Sequence, residues 1–327
     1  MSLTQDAPRI EPEVSSRTTL TVRAKRLVAG DVLEVTLARP DDSRLPDWAP
    51  GAHIDLMLPN GTTRQYSLVG DRWDAHTYTV AVLRERDGRG GSELIHSGLE
   101  VGMAVGFGGP RNNFRLAPAE EYLFVAGGIG ITPILPMIRQ AQLLDIPWRL
   151  LYLGRTRPGM AYLDELEASG DRVTVHAADE RGRADLDTWM PQTGGAVRVY
   201  ACGPERLLAA VDAWAAPLGR HAVRLERFTA APGVGDGVAT RFEVEIPRIG
   251  QTVQVAPDES IVDAVRRVGV EVLTSCGQGV CGTCETVVLR GDPEHRDSLL
   301  DDEERAHSDC MFPCISRARS ARLVLDL

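Results

Sequence analysis

Three cysteines within nine residues near the C-terminus, answered by a distant fourth, constrain this chain more than any other feature. The stretch is Cys276-Gly277-Gln278-Gly279-Val280-Cys281-Gly282-Thr283-Cys284, and Cys314 follows after 29 intervening residues. C-x4-C-x2-C with one distant cysteine is the spacing by which four thiolates enclose a [2Fe–2S] cluster, two on each iron. A loop that aims three sulfurs at one centre must turn tightly. Gly277, Gly279 and Gly282 accept the backbone angles this requires and let amide N–H groups approach the sulfurs. A structural zinc site of four cysteines usually consists of two C-x2-C knuckles, and only Cys281 and Cys284 fit that form. A disulfide framework is disfavoured in a long chain whose start is no secretory signal. Cys276, Cys281, Cys284 and Cys314 are therefore the expected metal ligands.

A length of 327 residues points to two or three domains at about 150 residues each. With 43% hydrophobic and 25% charged residues, the composition is that of a globular domain protein rather than a disordered one. No apolar run approaches the length of a membrane span. Met1 to Arg17 is polar and carries acidic residues, so it reads as neither a secretory nor a mitochondrial presequence, and cytoplasm is expected. A net charge of −10 argues against nucleic acid as a partner, which needs a basic footprint. From Thr240 onward 16 Asp and Glu face 10 Arg, so this end alone holds −6. That charge either steers docking to a basic partner or is a solvated surface. Lys25 is the only lysine, a matter of composition.

Thr19–Val22, Val32–Leu37, Ala52–Leu58, Arg64–Leu68 and Tyr78–Leu83 are short alternating runs separated by turn signals such as Pro59-Asn60-Gly61. They predict a small antiparallel β-barrel. Alternation puts Arg64 and Tyr66 of Arg64-Gln65-Tyr66-Ser67 on one face, where a guanidinium can clamp a phosphate beside a flat ring. Gly90-Gly91-Ser92 opens a short helical stretch whose free N–H groups suit the same phosphate. Each also has a plain reading, as surface and core residues or as a turn with its N-cap.

From Tyr122 strands and helices alternate. Strands at Leu123–Ala126, Arg149–Leu153, Val173–Ala177, Val197–Ala201 and Val223–Phe228 alternate with helices at Pro133–Leu144, Met160–Ala168, Ala184–Trp189 and Pro204–Ala215. This predicts a doubly wound parallel sheet that binds its ligand beyond the strand C-termini. Gly127, Gly128, Gly130, Thr132 and Pro133 form the first strand–helix turn, placed for a dinucleotide pyrophosphate, with Pro133 at the first helical position. The turn is not G-x-G-x-x-G, and by spacing alone it fits any tight turn. Arg155, past the second strand, can face an adenosine ribose. Cys202-Gly203-Pro204 ends another strand, and Cys202 also reads as a buried, inert thiol.

Residues 229–239 are rich in Gly, Ala and Pro and read as a linker. Beyond it come a hairpin over Arg241–Val255, a helix at Ser260–Val268, the cysteine loop, a strand at Glu285–Arg290 and an acidic helix around Asp301–His307. Cys310 falls four residues before Cys314 and is read as a spare thiol.

The order of these parts resembles the phthalate dioxygenase reductase family, which includes the reductase subunits of vanillate demethylase-type systems. The resemblance rests on Arg64-x-Tyr66-Ser67, Gly90-Gly91-Ser92, Gly127 to Pro133, Cys202-Gly203-Pro204 and the cysteine motif, in that order, and covers the chain after its tail. It implies a multidomain protein: a polar tail (1–17), an antiparallel β-barrel flavin domain (18–118), an α/β doubly wound NAD-binding domain (119–228), the linker (229–239) and an α+β, β-grasp-like, plant-type ferredoxin domain (240–327). It implies FMN rather than FAD, held by Arg64, Tyr66, Ser67, Ala81, Leu83, Gly90, Gly91, Ser92, Thr132 and Phe228. It implies NADH, held by Gly127, Gly128, Gly130, Thr132, Pro133, Arg155, Cys202, Gly203 and Pro204, although Arg155 leaves a 2′-phosphate possible. Electrons would pass from NADH through FMN and a [2Fe–2S] cluster to a terminal oxygenase, with no acid–base catalyst and with Thr132 and Cys202 nearest the reacting rings.

The chain carries neither a second cluster motif nor a haem ligand signature, so the oxygen chemistry is expected on another protein, with a Rieske-type oxygenase the leading acceptor and a cytochrome P450 the alternative. A monomer is expected. Two other classes fit fewer features: a redox-responsive binding protein without turnover, and a zinc-stabilised flavin reductase.

Overall fold

The computed structural model describes residues 19–88, 90–190, 197–215, 222–229, 240–300, 302–307 and 309–327. The expected tail and, apart from Thr229, the expected linker lie outside them.

The first sheet has six antiparallel strands: β1 (Thr19–Ala29), β2 (Val32–Ala38), β3 (His53–Met57), β4 (Thr63–Ser67), β5 (Thr77–Leu83) and β6 (Ala104–Arg111), with helix α1 (Gly91–Ser97) between the last two. Their order is β4-β3-β6-β1-β2-β5, and an isolated bridge from Leu68 to Val80 joins its two edges. Alternation drives one face inward, where Leu20, Val22, Val35, Leu37, Ile54, Leu56, Val80 and Val82 form a core sealed from water. Strand β6 went unrecognised in the sequence. Its Gly106, Gly108 and Gly109 carry no strand signal, and β1 and β3 supply its pairing.

The second sheet is parallel throughout: β7 (Glu121–Gly127), β8 (Trp148–Gly154), β9 (Val173–Ala177), β10 (Val197–Cys202) and β11 (Val223–Glu226), in the order β11-β10-β7-β8-β9. Its helices are α2 (Ile131–Leu143), α3 (Leu163–Glu167), α4 (Ala178–Arg181), α5 (Leu186–Trp189) and α6 (Glu205–Ala215). Alternate residues of β7 feed two cores: Tyr122, Phe124 and Ala126 pack with α2, whereas Leu123 and Val125 pack with α6. Helices thus cover both faces, as near-continuous apolar strands require. Strand order reverses between β7 and β10, which is where such sheets bind ligands. Helix α2 begins at Ile131, two residues before the expected start. Pro133 therefore sits third in the helix, still within the first turn, whose N–H groups have no intrahelical acceptor.

The third sheet joins β12 (Phe242–Ile246), β13 (Gln251–Val255), β14 (Thr286–Arg290), β16 (Cys310–Met311) and β18 (Arg322–Leu325) in the order β13-β12-β18-β14-β16. Strands β15 (Pro293–Glu294) and β17 (Arg317–Ala318) form a separate pair, and α7 (Ile261–Arg266) and α8 (Asp302–His307) complete the unit. Helix α7 is capped by Ser260, whose Oγ accepts the Asp263 N–H at 3.0 Å.

The three units are joined differently. One core runs across the first two sheets, with Val32, Val69, Ala81 and Phe114 packed among residues of β7 and α2. The third sheet has a core of its own, from Phe242 to Leu325. No helix among the described residues is long and apolar enough to cross a membrane.

Candidate functional site

A cavity of about 300 Å³ opens where the three units meet. Its walls bring together Arg64, Tyr66 and Ser67 of β4, Ala81 and Leu83 of β5, Gly91 and Ser92 of α1, Thr132 of α2, and Phe228. Cys276, Gln278 and Val280 of the cysteine loop close the opposite side. All the expected flavin residues except Gly90 line it, and Gly90 sits at the N-cap of α1 next to Gly91. The Arg64 side chain lies against Gly91, so that a Cβ there would come within 2.5 Å of its Nε. A guanidinium pressed onto a helix start combines two sources of positive potential, and an anion such as a flavin phosphate fits that combination. Burial, offset in part by Arg64, holds the Tyr66 phenol well above its ordinary pKa and therefore neutral. Thr132, 2% exposed, donates its hydroxyl to the Ile129 carbonyl at 2.9 Å.

The expected nucleotide residues gather at the strand-order reversal. Parallel register sets Cys202 beside Ala126, which brings Gly127–Pro133 and Cys202–Pro204 together. A Cβ on Gly203 would approach the Gly127 Cα to 2.9 Å, so the two turns touch through their backbones. Arg155 is exposed beyond β8, and its carbonyl accepts the Asp179 N–H at 3.0 Å. Cys202 itself is fully buried and is not part of the cavity wall; burial, then the Glu226 charge, pushes its thiol upward.

The four cysteines of the motif converge although the last is distant in sequence. Cys281 hydrogen-bonds Cys276, and Cys314 hydrogen-bonds both Cys276 and Cys284. Among the described residues no group of three or more His, Cys, Asp and Glu is placed to hold a metal ion. The four thiols form a chain of contacts, 281–276–314–284. Contact with Cys276, followed by burial, raises the Cys281 thiol. For Cys314 the bond to Cys276 lowers the pKa, but contact with Cys284 and burial outweigh it, taking it to about 12. These cysteines would hold iron as thiolates, since coordination deprotonates a thiol. The Gln278 N–H already points at Cys276 Sγ, at 3.3 Å, and the Gly279 backbone bonds Cys314. Cys310 lies on β16 outside this set, raised to about 11 by burial and neighbouring acids.

Two buried titratable groups, Glu226 and His53, are among the wall residues that sequence reasoning missed. Glu226 retains some exposure as a whole, yet its Oε2 is buried without a hydrogen-bond partner, and burial pushes the carboxyl up to about 8. His53 is 6% exposed; burial and then the Arg111 charge hold it down to about 4, so the ring is neutral. Polar alternation at His53 and Asp55 within an apolar strand was the available signal for the second. For Glu226 no local signal exists, because its burial comes from pairing with β10.

A sheet with an anion cradle, a parallel sheet with a ligand turn and a cluster loop, all meeting at one cavity, define an electron-transferring oxidoreductase. Comparison with known proteins agrees. Residues 244–319 match the family described as 2Fe-2S iron-sulfur cluster binding domain. The chain is 42% identical over 312 residues to phenoxybenzoate dioxygenase subunit beta of Ectopseudomonas oleovorans, covering 94% of this chain and 97% of that one. It is 35% identical over 314 residues to phthalate dioxygenase reductase of Burkholderia cepacia, with the same shares of 94% and 97%. A solved phthalate dioxygenase reductase, described as a modular structure for electron transfer from pyridine nucleotides to [2Fe-2S], matches with a TM-score of 0.69 at 35% identity, over 94% of this chain and 97% of that one. An intact type IV self-sufficient cytochrome P450 monooxygenase matches with a TM-score of 0.89 at 38% identity, over 99% of this chain and 43% of that one. The chain thus spans less than half the length of that monooxygenase. It belongs to the phthalate dioxygenase reductase family, the flavin and iron–sulfur reductases of oxygenase systems.

Proposed function

We propose that this chain takes electrons from NADH through FMN to a [2Fe–2S] cluster and delivers them to a separate Rieske-type oxygenase. The observation that carries this reading is the shared cavity, whose walls include the anion cradle of the first sheet, Thr132 and Phe228 of the second unit, and the cluster ligand Cys276. Bound there, a flavin accepts a hydride as an electron pair and releases electrons singly, and the cluster carries one at a time.

The protein's own part is positioning. Arg64, Gly90, Gly91 and Ser92 hold the FMN phosphate, while Tyr66, Ser67, Ala81, Leu83 and Thr132 line the ring site. Phe228, 45% exposed at the cavity wall, shields one side of that site from water. Gly127, Gly128, Gly130, Thr132 and Pro133 hold the dinucleotide pyrophosphate, with Cys202, Gly203 and Pro204 behind the nicotinamide and Arg155 at the adenosine end. Cys276, Cys281, Cys284 and Cys314 hold the iron. Domain limits of 18–118, 119–228 and 240–327 are part of this reading, which the three separate sheets support. The bridged first sheet is read as a closed barrel and the third as a β-grasp. A monomer in the reducing cytoplasm, where the thiols stay free to bind iron, fits this reading. A cytochrome P450 is the second acceptor to consider, favoured by the likeness to the P450 fusion protein.

An anaerobic titration of the holoprotein with NADH, followed by visible and EPR spectra, tests the proposal. Flavin bleaching followed by a rhombic signal of about one spin per chain is expected, since a [2Fe–2S] centre takes a single electron. Bleaching with no cluster signal would remove the electron-transfer reading and the oxygenase partner with it.

A further inference from the structure

The seam between the first sheet and the cluster loop is polar, unlike the apolar seam between the first two sheets. His53 and Asp55 alternate onto one face of β3. Register sets Gln65 of β4 beside Asp55, and Arg111 of β6 beside His53. The Asp55 carboxylate, 7% exposed, accepts Gln65 Nε2 at 2.9 Å and forms an ion pair with Arg111. The same two donors also reach one atom of the cluster loop, Thr283 Oγ1, each at 3.1 Å. Thr283 Oγ1 in turn accepts from Cys281 Sγ at 3.3 Å. Asn113 Nδ2 donates to the Cys281 carbonyl at 3.2 Å. Three side chains of the first unit, Gln65, Arg111 and Asn113, therefore close on residues 281–283. Gly282, at φ +76°, carries no side chain between them, and a Cβ there would come within 2.8 Å of Asn113 Nδ2.

We infer that Asp55, Arg111, Gln65 and Asn113 form a latch that docks the cluster loop on the flavin sheet and fixes the cluster's distance from the flavin cavity. The inference rests on the reading of Cys281 as a cluster ligand and of the cavity as the flavin site. Two features favour a latch over ordinary packing. The third unit keeps its own apolar core, so undocking uncovers polar groups that water can satisfy rather than a hydrophobic face. Asp55 also neutralises Arg111 within the first unit, so release leaves no lone buried charge. Electron transfer falls steeply with separation, and a docked loop is therefore the state that passes electrons from flavin to cluster.

The test uses full-length holoprotein carrying Arg111→Met. Arg111 is not part of the cavity wall, so the flavin bleaching rate on NADH mixing should match wild type. Losing its charge-assisted bonds should raise amide hydrogen exchange across residues 279–285 and slow cluster reduction, each about tenfold. A second pair of variants guards against misfolding: Thr283→Val should slow cluster reduction similarly, and Thr283→Ser should restore it. Wild-type exchange and wild-type cluster reduction in Arg111→Met would overturn the latch. So would a Thr283→Val defect that Thr283→Ser leaves unrepaired. If wild-type protein itself bleaches without a cluster signal, the proposed function fails first and the latch falls with it.

Discussion

On β11 the Glu226 carboxyl stands beside the Cys202 thiol, paired across parallel strands, with Oε2 buried and unpartnered. Burial lifts its pKa from the ordinary 4.5 to about 8. Between those values the native state keeps a proton that the unfolded chain has lost. This stabilising contribution is complete below pH 4.5 and disappears as pH rises through about 8, at roughly 1.4 kcal/mol per pH unit. Thermal midpoints measured from pH 5 to 9 should therefore fall more steeply with pH in wild type than in Glu226→Gln, which mimics the protonated form. Equal slopes would mean that the carboxyl is solvated. The contrast with the cysteines shows what a sequence discloses at this scale. Cysteine spacing is written along the chain, so the motif of Cys276, Cys281, Cys284 and Cys314 can be read from residue order alone. The environment of Glu226 is created by a strand 24 residues earlier in the register and has no local trace.

At the scale of elements, the turn after β7 and the turn after β10 work as a pair. Gly130 packs so closely on the second turn that a Cβ would strike the Cys202 carbonyl and come within 2.8 Å of the Gly203 nitrogen. Both obstacles are backbone and cannot rotate away. Gly130→Ala should push the turns apart and cut the rate of NADH-driven flavin bleaching about ten- to a hundredfold, a misplacement effect, while flavin content stays normal. Stopped-flow traces at several NADH concentrations would show it, and an unchanged rate would remove this turn from the nucleotide site. Period and turn chemistry made these elements legible: β7 and most of β8 are near-continuous apolar runs, and α2 and α6 repeat apolar positions on one face. Strand β6 was illegible because its three glycines contribute no side-chain pattern, and its pairing is decided by β1 and β3. The start of α2 was misplaced because Pro133 is tolerated anywhere in the first turn, not only at its first residue.

Across the whole molecule, two units share one apolar core and the third is attached through hydrogen bonds. This division separates the hydride step from single-electron delivery. The first needs a rigid cleft between flavin and nucleotide, which a shared core supplies; the second needs a carrier that can meet both the flavin and an external acceptor. Residues 240–327 carry net −6. If the division holds, loss of the cluster should disable only the second half of the reaction. Cys314→Ser should still bleach its flavin with NADH and still reduce ferricyanide directly from the flavin, yet show no rhombic EPR signal and no reduction of cytochrome c above background. Cys310→Ser, altered four residues earlier on β16, should keep both the signal and cytochrome c reduction. A Cys314→Ser protein that loses its flavin chemistry as well would show that the three units fold as one, and that the polar seam carries more of the stability than its few hydrogen bonds supply.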